Sequence, residues 1–301
     1  MTTRIDTQGT LAIEHSRAAD YFSLTKPELT FLSVLTALGG FCAGAVNGLP
    51  AMLLFHLLLG TALLGGGAGT LNQYIERNLD RLMKRTEHRP LASGRLSPNE
   101  GLVFGIGLVV CGVIELVTFV NVLTALLGAC AFFSYLFLYT PLKRFTPYAT
   151  LVGALPGALP PVMGWTAIRN NIGLPALLLF AILVFWQMPH FLSLAWIYRR
   201  DYARAGYKLL TVADETGSRT SLEILAFAFG LLALTLVPWV FGFAGTVYAT
   251  GAMVIGLVFL IACIQFRRER SNAAAHRIFL LSLGYLPIIM VVGLVDRFVR
   301  G

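Results

Sequence analysis

The chain alternates between long apolar runs and short polar breaks. Nine runs of about twenty residues, at 29–48, 51–71, 101–120, 122–140, 148–167, 174–197, 222–243, 245–266 and 278–296, can each cross roughly 30 Å of hydrocarbon at about 1.5 Å of rise per residue. Such runs are about twice as long as a barrel strand. In lipid, moreover, each backbone N–H and C=O needs a protein partner, which a helix supplies within its own segment. The pattern therefore predicts an all-α, polytopic membrane protein with nine transmembrane helices, a single domain over 29–301 behind a cytoplasmic tail over 1–28. It leaves no stretch for a separate soluble domain.

Composition agrees, with 56% hydrophobic and 13% charged residues and a mean hydropathy of +0.74. The net charge of +8 is more informative through its placement. If the N-terminus is cytoplasmic, 20 of the 23 Lys and Arg residues fall on that side, and only Arg169, Arg297 and Arg300 on the other. This is the positive-inside pattern, with the C-terminus on the opposite face. The basic residues hug the ends of apolar runs, which suits headgroups or an anionic substrate rather than nucleic acid. The opening residues mix Arg4, Asp6, Glu14, Arg17, Asp20 and Lys26 without an apolar run, as a tail does and a cleaved signal peptide does not. Cys42, Cys111, Cys130 and Cys263 stand singly in apolar segments and read as small core residues.

The densest polar stretch follows the second run. It reads from Asn72 through Glu76, Arg77, Asp80, Arg81, Lys84 and Arg85 to Thr86, then His88, Arg89 and Pro90. On a helix, positions 72, 76 and 80 drift by only about 40° per step and so share one face, with Arg77, Arg81 and Lys84 or Arg85 on the neighbouring one. An oxygen stripe beside a cationic stripe offers hard ligands for magnesium and point charges for a diphosphate. A polybasic loop attracted to anionic lipid, at about 1 kcal/mol per cation, explains Lys84 or Arg95 equally well. It does not explain three oxygen side chains in register, which would weaken that attraction. The loop after the sixth run repeats the theme, with Asp201 set among Arg199, Arg200, Arg204 and Lys208 and beside Tyr198, Tyr202 and Tyr207. The two loops are expected to face each other across one cytoplasmic site. Gly65, Gly66, Gly67 and Gly69, and the run from Gly153 to Pro161, read as devices for close helix approach; no GxxxxGK[ST] pattern accompanies them.

The spacing Asn72-x3-Glu76-x3-Asp80-x2-Met83-x-Arg85-Thr86, followed by Arg89-Pro90, resembles the first acidic motif of the UbiA superfamily of intramembrane prenyltransferases. Within it, the branch that farnesylates haem is the most similar. The stretches Leu24–Pro27, Tyr139–Arg144, Gly157–Trp165, Phe185–Phe191 and Asp201–Tyr207 carry that likeness in order. The resemblance implies a UbiA-type helical bundle with a central cavity opening to the cytoplasmic side of a bacterial inner membrane. It implies transfer of farnesyl from farnesyl diphosphate to a vinyl group of haem B (protohaem IX), with water adding to give haem O, assisted by one or two Mg²⁺ ions. Asn72, Glu76 and Asp80 become metal ligands, with Asp201 from the opposite loop; Arg85, Arg89, Lys143 and Lys208 become contacts to phosphate oxygens. Asn72, Glu76, Asp80, Arg85 and Asp201 form the expected catalytic set. The superfamily's second motif has two acids where this chain offers Asp201 alone, and the first opens on Asn72-Gln73 rather than Asn-Asp. Besides both substrates and membrane lipids, haem A synthase or a terminal oxidase assembly is the expected partner. Two other readings stay open: a prenyltransferase acting on a quinone precursor or other aromatic, and a non-catalytic haem-binding membrane protein or transporter.

For the haem, His190 is the leading candidate. It lies about 12 Å from the cytoplasmic end of the sixth run by helical rise, next to Pro189, which is expected to kink the helix. Imidazole is a common iron ligand, Trp186 one turn earlier could stack on a porphyrin, and Gln187 could bind a propionate. Packing against a neighbouring helix is the competing account of His190 and Gln187. His56 near the outer end of the second run reads as structural, and Glu115 within the third must pair or protonate. Phe132, Phe133, Tyr135, Phe137 and Tyr139 could line a prenyl channel or simply pack.

Overall fold

The computed structural model describes residues 2–5, 11–14, 16–46 and 48–300; the remaining parts of the expected tail lie outside the described residues. A short antiparallel pair, β1 (Thr2–Ile5) and β2 (Leu11–Glu14), precedes the helices. The first half of the chain then forms α1 (Arg17–Leu24), α2 (Pro27–Gly44), α3 (Ala51–Asp80), α4 (Pro90–Ser93), α5 (Pro98–Phe119) and α6 (Val122–Phe133). A π-helical stretch, Ser134–Tyr139, carries α6 into α7 (Thr140–Leu142). The second half comprises α8 (Ala149–Arg169), α9 (Leu174–Ile197), α10 (Arg199–Arg204), α11 (Leu210–Ala213), α12 (Ser218–Val240), α13 (Thr246–Glu269) and α14 (Asn272–Arg300).

Among the described residues nine helical segments are long and apolar enough to cross a membrane, with α6, the π stretch and α7 counting as one. The protein is a multi-pass membrane protein whose spans are all helical. Several spans outrun their apolar cores, and α3 does so most usefully. The apolar run closes at residue 71, but the helix continues to Asp80. Its 30 residues rise about 45 Å, so the last turns stand beyond a 30 Å hydrocarbon slab and carry the acidic stripe into the polar layer.

Local chemistry fixes several ends. Ser16 accepts from Ala19 N to start α1, and Ser97 and Glu100 form a capping box at α5 with Pro98 at its first turn. Asn121 Oδ1 accepts from Thr124 N, so that α6 can begin immediately after α5 ends. Pro156, Pro160, Pro161 and Pro189 all lie inside continuous helices.

Glycine sets the helix spacing. α3 lies on α5 through Gly60 and Gly67 facing Gly105 and Gly112; a Cβ on Gly67 would sit 2.6 Å from Val109 Cγ2 and 2.9 Å from the Gly105 carbonyl. α2 lies on α8 more closely still. A Cβ on Gly40 would overlap the Pro161 carbonyl, and one on Gly164 the Ala37 carbonyl. Helices in lipid gain little from mutual hydrophobicity, so this close fit supplies the van der Waals contact that holds them. A larger buried cluster joins α9, α12, α13 and α14 around Trp186, Phe259, Phe266 and Tyr285.

The acid pair to the third span resolves cleanly. Glu115 of α5 meets His56 of α3, Nδ1 to Oε1 at 2.7 Å, and the imidazole stacks on Phe119 at 4.4 Å. His56→Ala leaves that carboxylate without its partner in an apolar setting. A loss of about 1–3 kcal/mol is expected, read as a lower Tm in detergent with activity per folded molecule unchanged. A wild-type Tm would show that the pair contributes nothing to the fold.

Candidate active site

Asn72, Glu76 and Asp80 do share one face of α3, and all three are buried, at 1%, 5% and 1% exposure. Each meets a basic side chain from a different segment. Lys26, the residue before α2, places Nζ 2.5 Å from Asn72 Oδ1 and 3.4 Å from Tyr135 Oη. It holds a left-handed backbone, φ 48°, which costs a non-glycine residue about 1–2 kcal/mol and aims its side chain at α3. Lys143, just past α7, places Nζ 2.5 Å from Glu76 Oε1. Arg89, in the loop after α3, donates through Nη1 to both Asp80 oxygens at 2.9 Å.

The π stretch makes the middle of this arrangement. Its wider turn lets Thr140 N donate to Tyr135 O and rotates the following residues relative to an α-helix. Asn72 Nδ2 donates to Thr140 Oγ1 at 2.9 Å, and Thr140 Oγ1 donates to Tyr135 O at 2.9 Å. Tyr135 and Tyr139 thus turn inward, with Lys143 Nζ 5.0 Å from the Tyr139 ring centroid, whereas Phe133 and Phe137 stack on each other at the exposed surface.

The two polar loops meet, as their shared pattern predicts. Tyr207 Oη donates to Glu76 Oε1 at 2.9 Å, and its ring lies 5.3 Å from Lys143 Nζ. Arg85 donates to Tyr202 Oη at 2.9 Å and lies over the Tyr198 ring at 4.7 Å. Lys208 N donates to Lys143 O at 2.9 Å, while the Lys208 side chain is exposed. Asp201 does not join the stripe through a direct contact; its carboxylate pairs with Arg204 on its own helix.

Electrostatically the site is an alternating lattice. Burial opposes the charge of Lys143, but the Glu76 carboxylate and the tyrosines around it more than offset this and hold the ammonium well above the usual lysine range. Burial, with the Arg89 charge adding to it, pushes Lys26 well below that range. Burial likewise raises Tyr207, which keeps its proton and remains a donor to Glu76.

His190 lies at the junction of α9 and α14. Its ring stacks between Trp186 (4.9 Å) and Phe279 (5.0 Å), and Nδ1 lies 2.7 Å from Ser282 Oγ. Gln187 instead spends its amide on the α8–α9 contact, donating to the carbonyls of Ala154 and Leu183.

The UbiA prenyltransferase family model matches residues 33–284. The chain belongs to this family. Sequence relatives extend the match over nearly the whole chain. A "Protoheme IX farnesyltransferase" of Salinibacter ruber is 45% identical over 279 residues, covering 93% of this chain and 99% of the relative. One of Koribacter versatilis is 43% identical over 288 residues, covering 92% and 93%. Among solved structures, a UbiA homologue from Archaeoglobus fulgidus bound to GPP and Mg²⁺ superposes with a TM-score of 0.67 at 17% identity, over 91% of this chain and 99% of that one. A digeranylgeranylglyceryl phosphate synthase reaches 0.76 at 13% identity, over 93% and 98%. The fold is the UbiA fold, and the protein is a prenyltransferase.

In this UbiA prenyltransferase the donor set suits magnesium. Among the described residues no three His, Cys, Asp or Glu side chains gather tightly enough to cage an ion alone. Magnesium usually takes one or two carboxylates and completes its shell with water and substrate phosphate oxygens, so two buried carboxylates and an amide oxygen on one face fit it.

Several site members escaped the sequence reading. In the sequence Lys26 stands among the charges of the tail and within Leu24–Pro27, Tyr207 beside Asp201, and Thr140 within Tyr139–Arg144, with nothing local that pairs them with Asn72 or Glu76. A lysine immediately before the proline that opens an apolar run was the available signal for the first.

Proposed function

We propose that this prenyltransferase moves the farnesyl group of farnesyl diphosphate onto a vinyl group of protohaem IX, yielding haem O. The observation that carries this reading is the buried stripe Asn72, Glu76 and Asp80 matched by Lys26, Lys143 and Arg89. Protein relatives named for the same reaction, at 43% and 45% identity over more than nine-tenths of the chain, support the acceptor.

Asn72, Glu76 and Asp80 would hold magnesium, with Asp201 available from the second loop. When bound, the ion supplies positive charge against the negative charge that builds on departing diphosphate. The cations that now neutralise the carboxylates, Lys143 and Arg89, together with Lys26, Arg85 and Lys208, are the groups that would hold phosphate oxygens. Because they are fixed before substrate arrives, they favour the ionising state more than the ground state. The allylic C–O bond breaks with its electron pair leaving on diphosphate. The vinyl pair then forms the new C–C bond, and the resulting cation takes water and loses a proton. Tyr135 and Tyr139 stand beside this cluster, Tyr135 Oη 3.4 Å from Lys26 Nζ and the Tyr139 ring 5.0 Å from Lys143 Nζ, where aromatic faces would stabilise an allylic cation. His190 and Trp186 would hold the porphyrin from the α9 side. The enzyme would lie in a bacterial inner membrane, and the placement of basic residues supports an orientation with its N-terminus and this site cytoplasmic.

Reconstitution with haem B, farnesyl diphosphate and Mg²⁺ tests the reading. A more hydrophobic haem product on chromatography, formed together with diphosphate, is the expected result. Diphosphate release with a hydroxybenzoate but not with haem B would move the acceptor to the quinone precursors, and binding of haem without diphosphate release would remove the enzyme reading of this acceptor.

A further inference from the structure

Beneath His190 lies a serine that touches neither the acidic stripe nor its basic partners. Ser282, on α14, is fully buried and makes three hydrogen bonds. Its carbonyl accepts from Trp186 Nε1 at 2.9 Å, its Oγ lies 2.6 Å from the Phe279 carbonyl, and the same Oγ lies 2.7 Å from His190 Nδ1. A carbonyl can only accept, so the single hydroxyl proton of Ser282 is committed to Phe279. Ser282 Oγ is then an acceptor toward His190, and Nδ1 must carry the ring proton. The other nitrogen follows by elimination: in the neutral imidazole, Nε2 keeps its lone pair.

Nε2 makes no hydrogen bond among the described residues, and His190 keeps 5% of its surface exposed. The stacked rings of Trp186 and Phe279 prevent the imidazole from swinging away. A neutral histidine held by its Nδ1–H with a free Nε2 is the form that binds iron, and the partner on the distal nitrogen orients it and raises its basicity.

We propose that Ser282 is the positioning residue that fixes His190 in its Nδ1–H form and presents the Nε2 lone pair to the iron of the acceptor porphyrin. This rests on the reading of His190 as the haem-side ligand. It makes α14, a helix with no motif in the sequence reading, part of the acceptor site.

Two measurements test it. In ¹⁵N-histidine-labelled full-length protein, with His190 assigned by loss of its signals in His190→Ala, the expected state is protonated Nδ1 and bare Nε2. A protonated Nε2 overturns the proposal whatever the variants do. In haem B titrations followed by absorbance and electron paramagnetic resonance, Ser282→Ala is expected to lose about 10- to 100-fold in affinity and to alter the iron's ligand-field spectrum, while Ser282→Thr retains both. If His190→Ala binds haem with an unchanged spectrum, the ligand reading itself falls. If His190→Ala weakens binding but a folded Ser282→Ala matches wild type, only the role of Ser282 falls.

Discussion

Asp80→Asn is expected to reduce turnover by about 10²- to 10³-fold or more while leaving the protein folded. The carboxylate is 1% exposed and takes both of its hydrogen bonds from Arg89, which is itself partly open to solvent. Asparagine has nearly the same shape and still accepts one of those bonds, and Arg89 can turn to water, so the fold loses little. What disappears is a negative charge that would hold the metal against the leaving diphosphate. Removing one preorganised electrostatic contact of this kind typically costs two to three orders of magnitude in rate. Initial rates of purified protein, with Tm measured on the same samples, give the result; a rate within a few fold of wild type would take Asp80 out of the metal site. Glu76→Gln is a poorer test of the same idea. Lys143 is buried against it, and breaking a buried ion pair costs about 3–5 kcal/mol, so lost activity would be confounded with lost stability.

The second large effect belongs to the helix packing. At Gly164 a Cβ would overlap the Ala37 carbonyl and lie 2.6 Å from Phe41 N, and both obstacles are backbone. The reciprocal contact, Gly40 against Pro161, prevents α2 from sliding to make room. Gly164→Val is therefore expected to exceed the usual 1–3 kcal/mol of overpacking, because no side chain can rotate out of the way. Loss of monodisperse protein on size exclusion, or a Tm lowered by many degrees, is the expected outcome. Gly107→Ala on α5 serves as the control: its Cβ would meet nothing, and a neutral or slightly raised Tm is expected from the reduced freedom of the unfolded chain. Equal Tm values for the two variants would refute the packing account. The effect also reaches the site, since Lys26 immediately precedes α2 and reaches Asn72 only while α2 holds its place.

The function of the first polar loop and the packing of the glycines are thus legible at very different levels. The nine spans, the shared face of Asn72, Glu76 and Asp80, and the opposition of the two loops follow from the sequence. Hydropathy and helical periodicity are local properties, fixed by what each residue prefers and by 3.6 residues per turn. The motif spacing that marks the family is local in the same way. Tertiary structure decided which cation serves which oxygen: Lys26 lies 46 residues from Asn72, Lys143 lies 67 from Glu76, and only the packing of α2 and the π stretch against α3 brings them within hydrogen-bond reach. It also decided that Gln187 is spent between helices, that Asp201 turns to Arg204, that Glu115 finds His56, and that His190 rests on Ser282, 92 residues away. Contacts at such separations depend on how helices pack, and in lipid that is set by small-residue fit between surfaces, which no single segment encodes.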